Sequence, residues 1–396
     1  MTDIIDPPEH EREPEEQGAD GSPAGIEREE EVSFKDPFDP ASISIETKII
    51  SMDALIRRLR QGTIRLAPDF QRGFVWDEKR QSRLIESLML RIPLPMFYVS
   101  ADTEGNWDVV DGLQRLTTIR NFILGDRRQL GFKLAGLEFW GNRFDGKRFE
   151  EIDADQKNAR IINNIMETEM RFTVINPKTP EDVKFNVFKR INTGGMPLTN
   201  QEIRHALYQG VGTNLLLTLV KSPQFQRAID HSIDDSRMAG RELITRFFAF
   251  SLTPWKKYNG DIEQLLADTL KKLNSITISS NNENSNLRSL ESRFNTAMDR
   301  AYHLFGKHAF RKSIPGLRRT PVNKALFDAW GNILAELTST EFVNLHNRKK
   351  ELLAAYKNTL RDDEFESAIS RDALRISGVR HRFNTIDDLI LEVLES

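Results

Sequence analysis

The hydrophobic pattern of the chain changes once along its length. From Ile43 to about Gly210, short apolar runs typical of strands alternate with apolar stripes at helical spacing. Beyond Gly210 the strand patterns stop and helical stripes recur, for example over residues 326–337. The fold class predicted from this change is α+β, with an α+β domain over residues 41–210 followed by an all-α domain over residues 211–396.

The first forty residues differ in composition from the rest of the chain. Residues 1–40 contain 14 acidic and 3 basic residues, a net charge of −11, and are rich in Glu, Pro and Gly. Such a segment cannot bury enough apolar surface to offset the entropy lost when its chain is ordered. We predict a disordered acidic tail. Two roles stay open for it: competition with nucleic acid for the basic remainder of the chain, or simple solubilisation.

Composition excludes several classes of function. The 396 residues include no cysteine, which excludes a disulfide framework, a zinc ribbon, an iron–sulfur cluster and a cysteine nucleophile. No stretch approaches the roughly 18 to 20 apolar residues of a membrane span, and the acidic first residues are unlike a signal peptide. We therefore expect a cytoplasmic protein with no membrane partner.

A polar motif stands where a predicted strand meets a predicted helix. It reads Asp111–Gly112–Leu113–Gln114–Arg115, and Thr118 lies one helical turn after Gln114. Gly112 permits a tight turn, and the first turn of the following helix offers unpaired N–H groups and a positive dipole end to an anion. Helical spacing turns Leu113 towards the core and leaves Gln114, Arg115 and Thr118 able to face a ligand.

The side chains of this motif suit phosphate chemistry. Arg115 supplies a planar fork for phosphate, and Gln114 can both donate and accept a hydrogen bond. Asp111 can hold a metal, orient a water molecule or pair with Arg115. The alternative interpretation is structural, with Asp111 as a helix cap and Arg115 in a surface salt bridge.

A second polar cluster precedes this motif. Gln71 and Arg72 stand in a loop among three aromatic residues, Phe70, Phe74 and Trp76. The aromatic rings can anchor the loop so that the two polar side chains reach into a cleft. Ordinary aromatic core packing with solvated polar neighbours explains the same pattern.

A third cluster follows a predicted helix. It reads Asn192–Thr193–Gly194–Gly195, and a T-x-x-E capping box, Thr199 to Glu202, begins the next helix. A glycine pair after a helix is usually only a C-terminal cap. Here it also brings several groups capable of binding a ligand, Asn192 among them, to one sharp connection.

Together and in this order, the three clusters resemble the N-terminal domain family of the GmrSD-type, type IV restriction endonucleases, which belongs to the ParB and sulfiredoxin-like superfamily. The family pattern is a QR-x-x-x-W loop, an I-P-x-P strand start, a D-G-Q-Q-R-L-T-T turn and an N-T-G-G-x-x-L-x-x-x-E-x-R segment. The matching positions here are Gln71, Arg72 and Trp76; Ile92–Pro93–Leu94–Pro95; Asp111 to Thr118; and Asn192 to Gly195 with Leu198, Glu202 and Arg204. The resemblance covers residues 45–210.

The resemblance implies a ParB/sulfiredoxin-like domain that binds, and in some members hydrolyses, a nucleotide in defence against foreign or modified DNA. The ligand would be an NTP, and hydrolysis would need Mg²⁺. The nucleotide-binding residues would be Gln71, Arg72, Asp111, Gly112, Gln114, Arg115, Thr118 and Asn192. The catalytic residues among them would be Asp111, Gln114 and Arg115.

The chain departs from the family pattern in two ways. Leu113 replaces the first Gln of D-G-Q-Q-R, which removes one polar group and is expected to weaken hydrolysis more than phosphate binding. The larger relatives also carry a C-terminal HNH-like nuclease domain, whereas the seven histidines here show no metal-ligand spacing that stands out. We therefore expect any DNA cleavage to come from a separate nuclease subunit.

The charge of the remaining chain leaves two further interpretations open. Residues 41–396 carry 53 basic and 45 acidic residues, a net charge of +8. That balance favours DNA as a partner, so a non-catalytic, ParB-like DNA-binding adaptor is the alternative function. A stand-alone ParB-like nuclease is the third, resting on superfamily analogy alone.

Overall fold

The computed structural model describes residues 25–27, 43–66, 76–125, 131–191, 198–276 and 287–395, with the backbone alone for residues 181, 182 and 191. Their contacts separate into two compact units. The described residues from 43 to 209 form one, called here the α+β unit. Residues 25–27 and those from 210 onwards form the other, called the helical unit.

The α+β unit contains a five-stranded mixed sheet in the order β1-β5-β3-β4-β2. β1 pairs with β5 and β3 with β4 in antiparallel fashion, whereas β3–β5 and β2–β4 are parallel. The elements are β1 (Ile45–Ser51), α1 (Met52–Gln61), β2 (Ile64–Arg65), α2 (Glu78–Met89), β3 (Phe97–Ala101), β4 (Trp107–Asp111), α3 (Leu113–Ile123), α4 (Gly141–Phe144), α5 (Phe149–Asp153), α6 (Ala159–Met166), β5 (Glu169–Ile175), α7 (Glu181–Ile191) and α8 (Asn200–Leu207). The predicted α+β class is confirmed.

Helices in this unit begin at side chains that cap them. The Ser51 hydroxyl and the Asp77 carboxylate each accept a backbone N–H in the first turn of α1 and of α2. Thr199 and Glu202 form the reciprocal capping box at the start of α8. Each cap removes an unpaired donor from a helix end, which is why these helices start where the sequence predicts.

Aromatic rings fill the core beside the end of β4. The Phe172 ring of β5 lies 5.2 Å from the ring of Phe97 and 5.2 Å from that of Trp107, centroid to centroid. All three residues are at most 2% exposed. Leu116 of α3 is fully buried, so the core anchors the strand and the helix on both sides of the turn that joins them.

The helical unit consists, in its described residues, of helices and isolated β-bridges. The helices are α9 (Val211–Val220), α10 (Pro223–Ala228), α11 (Ala239–Leu252), α12 (Ile262–Ser275), α13 (Leu287–Phe305), α14 (Lys324–Glu336), α15 (Ser339–Asn347), α16 (Lys349–Thr359), α17 (Asp363–Ala368) and α18 (Ile376–Glu395). Within the described ranges, no helix is long and apolar enough to cross a membrane.

A buried ion cluster lies inside the helical unit. The guanidinium of Arg246 contacts both carboxylate oxygens of Asp328, with N–O distances of 3.0 and 2.6 Å. Arg382 donates to the same carboxylate at 3.1 Å and to the carbonyl oxygen of Ala373. The three charged residues are at most 1% exposed, so the cluster belongs to the core and ties together α11, α14 and α18.

Three residues of the predicted acidic tail are ordered against the helical unit. Ile26 forms a parallel bridge with Val322, flanked by hydrogen bonds from the Glu27 N–H to the Val322 carbonyl and from the Val322 N–H to the Gly25 carbonyl. The Glu27 carboxylate pairs with the Lys312 ammonium at 2.6 Å. This segment therefore differs from the predicted disorder because backbone pairing and an ion pair hold it. Residues 1–24 and 28–40, the rest of the predicted tail, lie outside the described residues.

Candidate functional site

The predicted turn between β4 and α3 is present, and a bulge precedes it. Val109 and Asp111 of β4 oppose the consecutive residues Val99 and Tyr98 of β3, so Val110 is the extra residue. Bulges of this kind redirect the side chains that follow and are common next to functional sites. The bulge places Asp111 at the end of the strand with 38% of its side chain exposed.

Gly112 makes the turn possible for two independent reasons. Its φ of 89° and ψ of 10° lie in the left-handed region that a residue with a Cβ atom rarely adopts. A Cβ atom at this position would also lie 2.3 Å from Cδ1 of Phe97. A residue with a Cβ atom at this point would therefore be strained both by its backbone conformation and by contact with the Phe97 ring.

Arg115 lies across the aromatic core beside the turn. Its Cζ atom is 4.4 Å from the centroid of the Phe97 ring, in a cation–π arrangement. Its guanidinium donates to the carbonyl oxygens of Pro95 and Met96 and to Oδ2 of Asp111, at 3.2 Å for Met96 and 3.3 Å for Asp111. Burial lowers the pKa of Arg115, and the Asp111 carboxylate opposes that shift. The result is a positive charge fixed beside the turn.

The first turn of α3 is open to a ligand's hydrogen bonds. Among the described residues, no side chain caps the helix at Gly112, and the first N–H groups of a helix have no partner within the helix itself. The Oε1 atom of Gln114 is buried and has no hydrogen-bond partner among the described residues. An amide in this state is satisfied either by water or by a ligand.

Thr118 is less accessible than its predicted role requires. Its side chain is fully buried, and its hydroxyl donates to the Gln114 carbonyl oxygen at 2.8 Å, within its own helix. A hydroxyl used in this way fixes the helix backbone and does not reach out to a ligand.

Three of the predicted nucleotide-binding residues, Gln71, Arg72 and Asn192, lie outside the described residues. The structure therefore brings together Asp111, Gly112, Gln114 and Arg115 from the predicted set. In the described part of the chain, no group of three or more His, Asp or Glu side chains has the arrangement of a metal site.

A family comparison bears directly on this turn. Residues 54–209 match the model described as the GmrSD restriction endonuclease, N-terminal domain. The chain contains a GmrSD-type N-terminal domain. The resemblance found in the sequence motifs is thereby confirmed. No curated protein and no solved structure gives a significant match to the chain.

The match indicates a restriction or defence-type protein. It spans the complete turn from β4 to α3 and ends where the α+β unit ends, at residue 209. The GmrSD-type domain and the α+β unit are thus nearly the same stretch of chain.

Sequence reasoning missed part of the environment of this turn in the GmrSD-type domain. The Phe97 ring packs against both Gly112 and Arg115. As an apolar residue in a strand, Phe97 looks like any core residue in the sequence, so nothing there indicates its place beside the turn. The sequence also does not show that the carbonyl oxygens of Pro95 and Met96 accept from Arg115. Every residue has a backbone carbonyl, so residue type does not indicate which one serves as the acceptor. The I-P-x-P motif that contains Pro95 was the available clue.

Proposed function

We propose that this protein is the nucleotide-binding component of a restriction-type defence system and that it holds a nucleotide phosphate at the turn from Asp111 to Arg115. The observation that carries the proposal is the combination of an uncapped helix N-terminus with a fixed arginine beside it. Backbone N–H groups and a guanidinium favour the same ligand, an oxyanion. A role on DNA inside the cell requires a cytoplasmic protein, which is part of the proposal.

Each side chain has a separate part in the proposed site. The N–H groups at the start of α3 would donate hydrogen bonds to phosphate oxygens, and the Arg115 charge would stabilise the phosphate electrostatically from its fixed position. The unpartnered amide oxygen of Gln114 would accept a hydrogen bond from the nucleotide or from a water molecule next to it.

Hydrolysis would depend on Asp111. Its carboxylate is partly exposed at the mouth of the turn, where it can orient a water molecule. Mg²⁺ commonly binds through one or two carboxylates together with substrate phosphates, and the partly exposed Asp111 fits that requirement. When bound, Mg²⁺ would neutralise charge on the phosphoryl group.

Calorimetry with a panel of NTPs tests the proposal, with and without DNA and Mg²⁺. We expect at least one NTP to bind, and Gln114→Leu and Arg115→Ala to weaken its binding by about tenfold or more, since each removes a hydrogen-bonding or charged group. Arg120→Ala is the matched control, because Arg120 lies in the last turn of α3 and bonds to Asn121. Absence of NTP binding under all conditions would rule the proposal out.

DNA is the second proposed partner, supported by the net charge of +8 on residues 41–396. Lys and Arg contacts to DNA phosphates release counterions, so DNA affinity should fall steeply as salt is raised. If DNA binds and no NTP does, the protein is a DNA-binding adaptor. In either case we propose that a separate nuclease subunit supplies DNA cleavage, and incubation of supercoiled plasmid with the purified protein and Mg²⁺ tests whether this chain cuts DNA alone.

A further inference from the structure

An unusually constrained loop lies in the α+β unit, away from the residues assigned above. Residues 135–140 are called here the clamped loop. Each of their six consecutive backbone N–H groups donates a hydrogen bond to a side-chain oxygen. Ser82 accepts the first at 2.9 Å, and Asp145 accepts the next two at 3.2 and 3.1 Å. The Glu86 carboxylate accepts the last three at 2.8 to 2.9 Å.

These acceptors hold the clamped loop in one conformation. Ser82 and Glu86 both belong to α2 and are at most 3% exposed, so the loop is fixed to a packed helix. Hydrogen bonds to a buried carboxylate are stronger than those between neutral groups. A loop ordered in this way loses little further entropy when it binds a partner.

The clamped loop presents an apolar ring to solvent. Phe139 is 72% exposed, the highest value among the large apolar side chains of the described chain. A scattered exposed apolar residue needs no explanation, but this ring is carried on a backbone fixed at every N–H group around it. The adjacent Trp140 is itself partly exposed, which extends the aromatic surface.

Positive side chains flank the clamped loop. The methylene groups of Lys79 lie 3.4 to 3.6 Å from the position a Cβ atom would take on Gly136. The guanidinium of Arg143 lies 5.6 Å from the Trp140 ring, and the Lys147 ammonium lies 5.9 Å from the Phe144 ring. Two exposed acids oppose this charge, Glu138 on the loop and Asp145 beside it. The loop N–H groups partly offset the negative charge of Asp145 and of the buried Glu86.

We propose that the clamped loop binds DNA by stacking an unpaired base on Phe139, with the neighbouring phosphates close to Lys79, Arg143 and Lys147. Aromatic stacking combined with basic side chains is the usual means of binding single-stranded nucleic acid. The inference rests on the DNA-binding part of the proposed function and does not involve the nucleotide site at Asp111 to Arg115.

The test uses the full chain and DNA labelled with 2-aminopurine, whose fluorescence falls when it stacks on an aromatic ring. Single-stranded and fully paired oligonucleotides are titrated without NTP at two salt concentrations. We expect Phe139→Ala to weaken single-strand binding by about tenfold and to abolish the fluorescence change. Phe139→Trp should keep both, and Phe139→Leu should behave like Phe139→Ala because leucine is apolar but cannot stack. Ile49→Ala removes another exposed apolar side chain of the same unit and should have no effect.

The charged residues give an independent measurement. Lys79→Gln and Lys147→Gln should each lower the salt dependence of binding, by roughly one unit in the log–log slope. Phe139→Ala should leave that slope unchanged, since a base contact releases no counterions.

The possible failures point to different parts of the argument. If the wild-type protein binds no DNA at low salt, both the proposed DNA partner and the role of the clamped loop are wrong, and nucleotide binding is untouched. If the wild type binds DNA and Phe139→Ala binds it equally well, the loop inference alone is wrong. If Phe139→Leu retains wild-type affinity for single-stranded DNA, the stacking inference is wrong, because an apolar side chain that cannot stack then serves as well.

Discussion

Each unit of the protein contains a group of Asp and Arg side chains, and the two groups are built differently. In the helical unit, the Arg246–Asp328–Arg382 cluster has no appreciable solvent exposure. In the α+β unit, the Asp111 side chain is 38% exposed and its partner Arg115 is 14% exposed.

The difference teaches that the same residue types can be committed to the core in one place and remain partly open to solvent in another. Asp328 receives hydrogen bonds from two guanidinium groups, so its oxygens are committed to the core. Among the described residues, Asp111 forms one ion pair, at the longer distance of 3.3 Å, beside a helix start that no described side chain caps. The two groups contain the same residue types. They differ in the number of guanidinium partners of the carboxylate and in the solvent exposure of the side chains.

Removal of Asp328 is expected to have the largest effect on stability. Asp328→Ala leaves two buried guanidinium groups without their carboxylate and should lower the free energy of unfolding by about 3 to 5 kcal/mol. Chemical denaturation of the full chain measures this loss. Asp299→Ala is the control, because the Arg227–Asp299 pair is more than two-fifths exposed on both sides and should contribute about 1 kcal/mol or less. Equal losses for the two variants would contradict the distinction between the buried and the exposed ion pairs.

Gly112→Ala should come next, with an effect in the α+β unit. The left-handed backbone and the contact with Phe97 together should lower the free energy of unfolding by about 2 to 5 kcal/mol. Gly105→Ala separates the two causes, since Gly105 has a φ of +81° but open space around its Cβ position. It should cost only the backbone strain, about 1 to 2 kcal/mol. A Gly112→Ala variant as stable as Gly105→Ala would show that the Phe97 ring moves aside freely.

Asp111→Asn should change stability little and function strongly. The partly exposed ion pair with Arg115 is worth about 1 kcal/mol or less to folding. If Asp111 has the proposed role of orienting water, loss of its carboxylate should nevertheless reduce the rate of phosphate release from NTP by tenfold or more. Denaturation and a phosphate-release assay on the same preparation measure both. A large loss of stability without loss of activity would assign Asp111 to the fold, as for Asp328.

The smallest expected effect concerns the pH dependence of the helical unit. His308 is 4% exposed, and burial together with Lys307 and Arg311 lowers its pKa. Because the unfolded chain then binds the proton more tightly, stability should be complete above about pH 6.5 and should fall as the pH drops below it. His308→Gln should reduce this fall, measured as the difference in unfolding free energy between about pH 7.5 and pH 5.5. An identical pH dependence in both proteins would show that His308 does not titrate in this range.

Much of the fold follows from local signals in the sequence. Ser51, Asp77 and the Thr199–Glu202 pair mark helix starts by their own side-chain chemistry, and the structure confirms all three. The apolar pattern Ile43–Ser44–Ile45 predicts only a short strand, whereas β1 runs from Ile45 to Ser51 because it pairs with β5 over seven residues. The apolar residues from Phe342 to Leu360 follow one helical stripe in the sequence, whereas the structure has two helices there, which meet at Arg348. Pairing and packing partners far along the chain decide such boundaries.

The candidate site was predictable in its residues and not in its contacts. The D-G-x-Q-R pattern predicts the turn, because a left-handed glycine and a helix N-terminus have local causes. The carbonyl partners of Arg115 come from residues 19 and 20 positions earlier, and four of the six N–H groups of the clamped loop depend on acceptors more than 50 positions before them. Contacts at that separation arise only when the sheet and helices assemble.

Because residues 25–27 pack with the helical unit, that unit is built from two separate segments of the chain. Residues 25–27 contribute a bridge to the helical unit, the α+β unit with its GmrSD-type domain follows in the chain, and the helical unit resumes at Gly210. The α+β unit is therefore an insertion within a discontinuous helical unit. A fragment that begins at Gly210 would lack Ile26 and Glu27, so the Val322 bridge and the Lys312 ion pair would lose their partners, and supplying residues 25–27 as a separate peptide is the direct way to restore them.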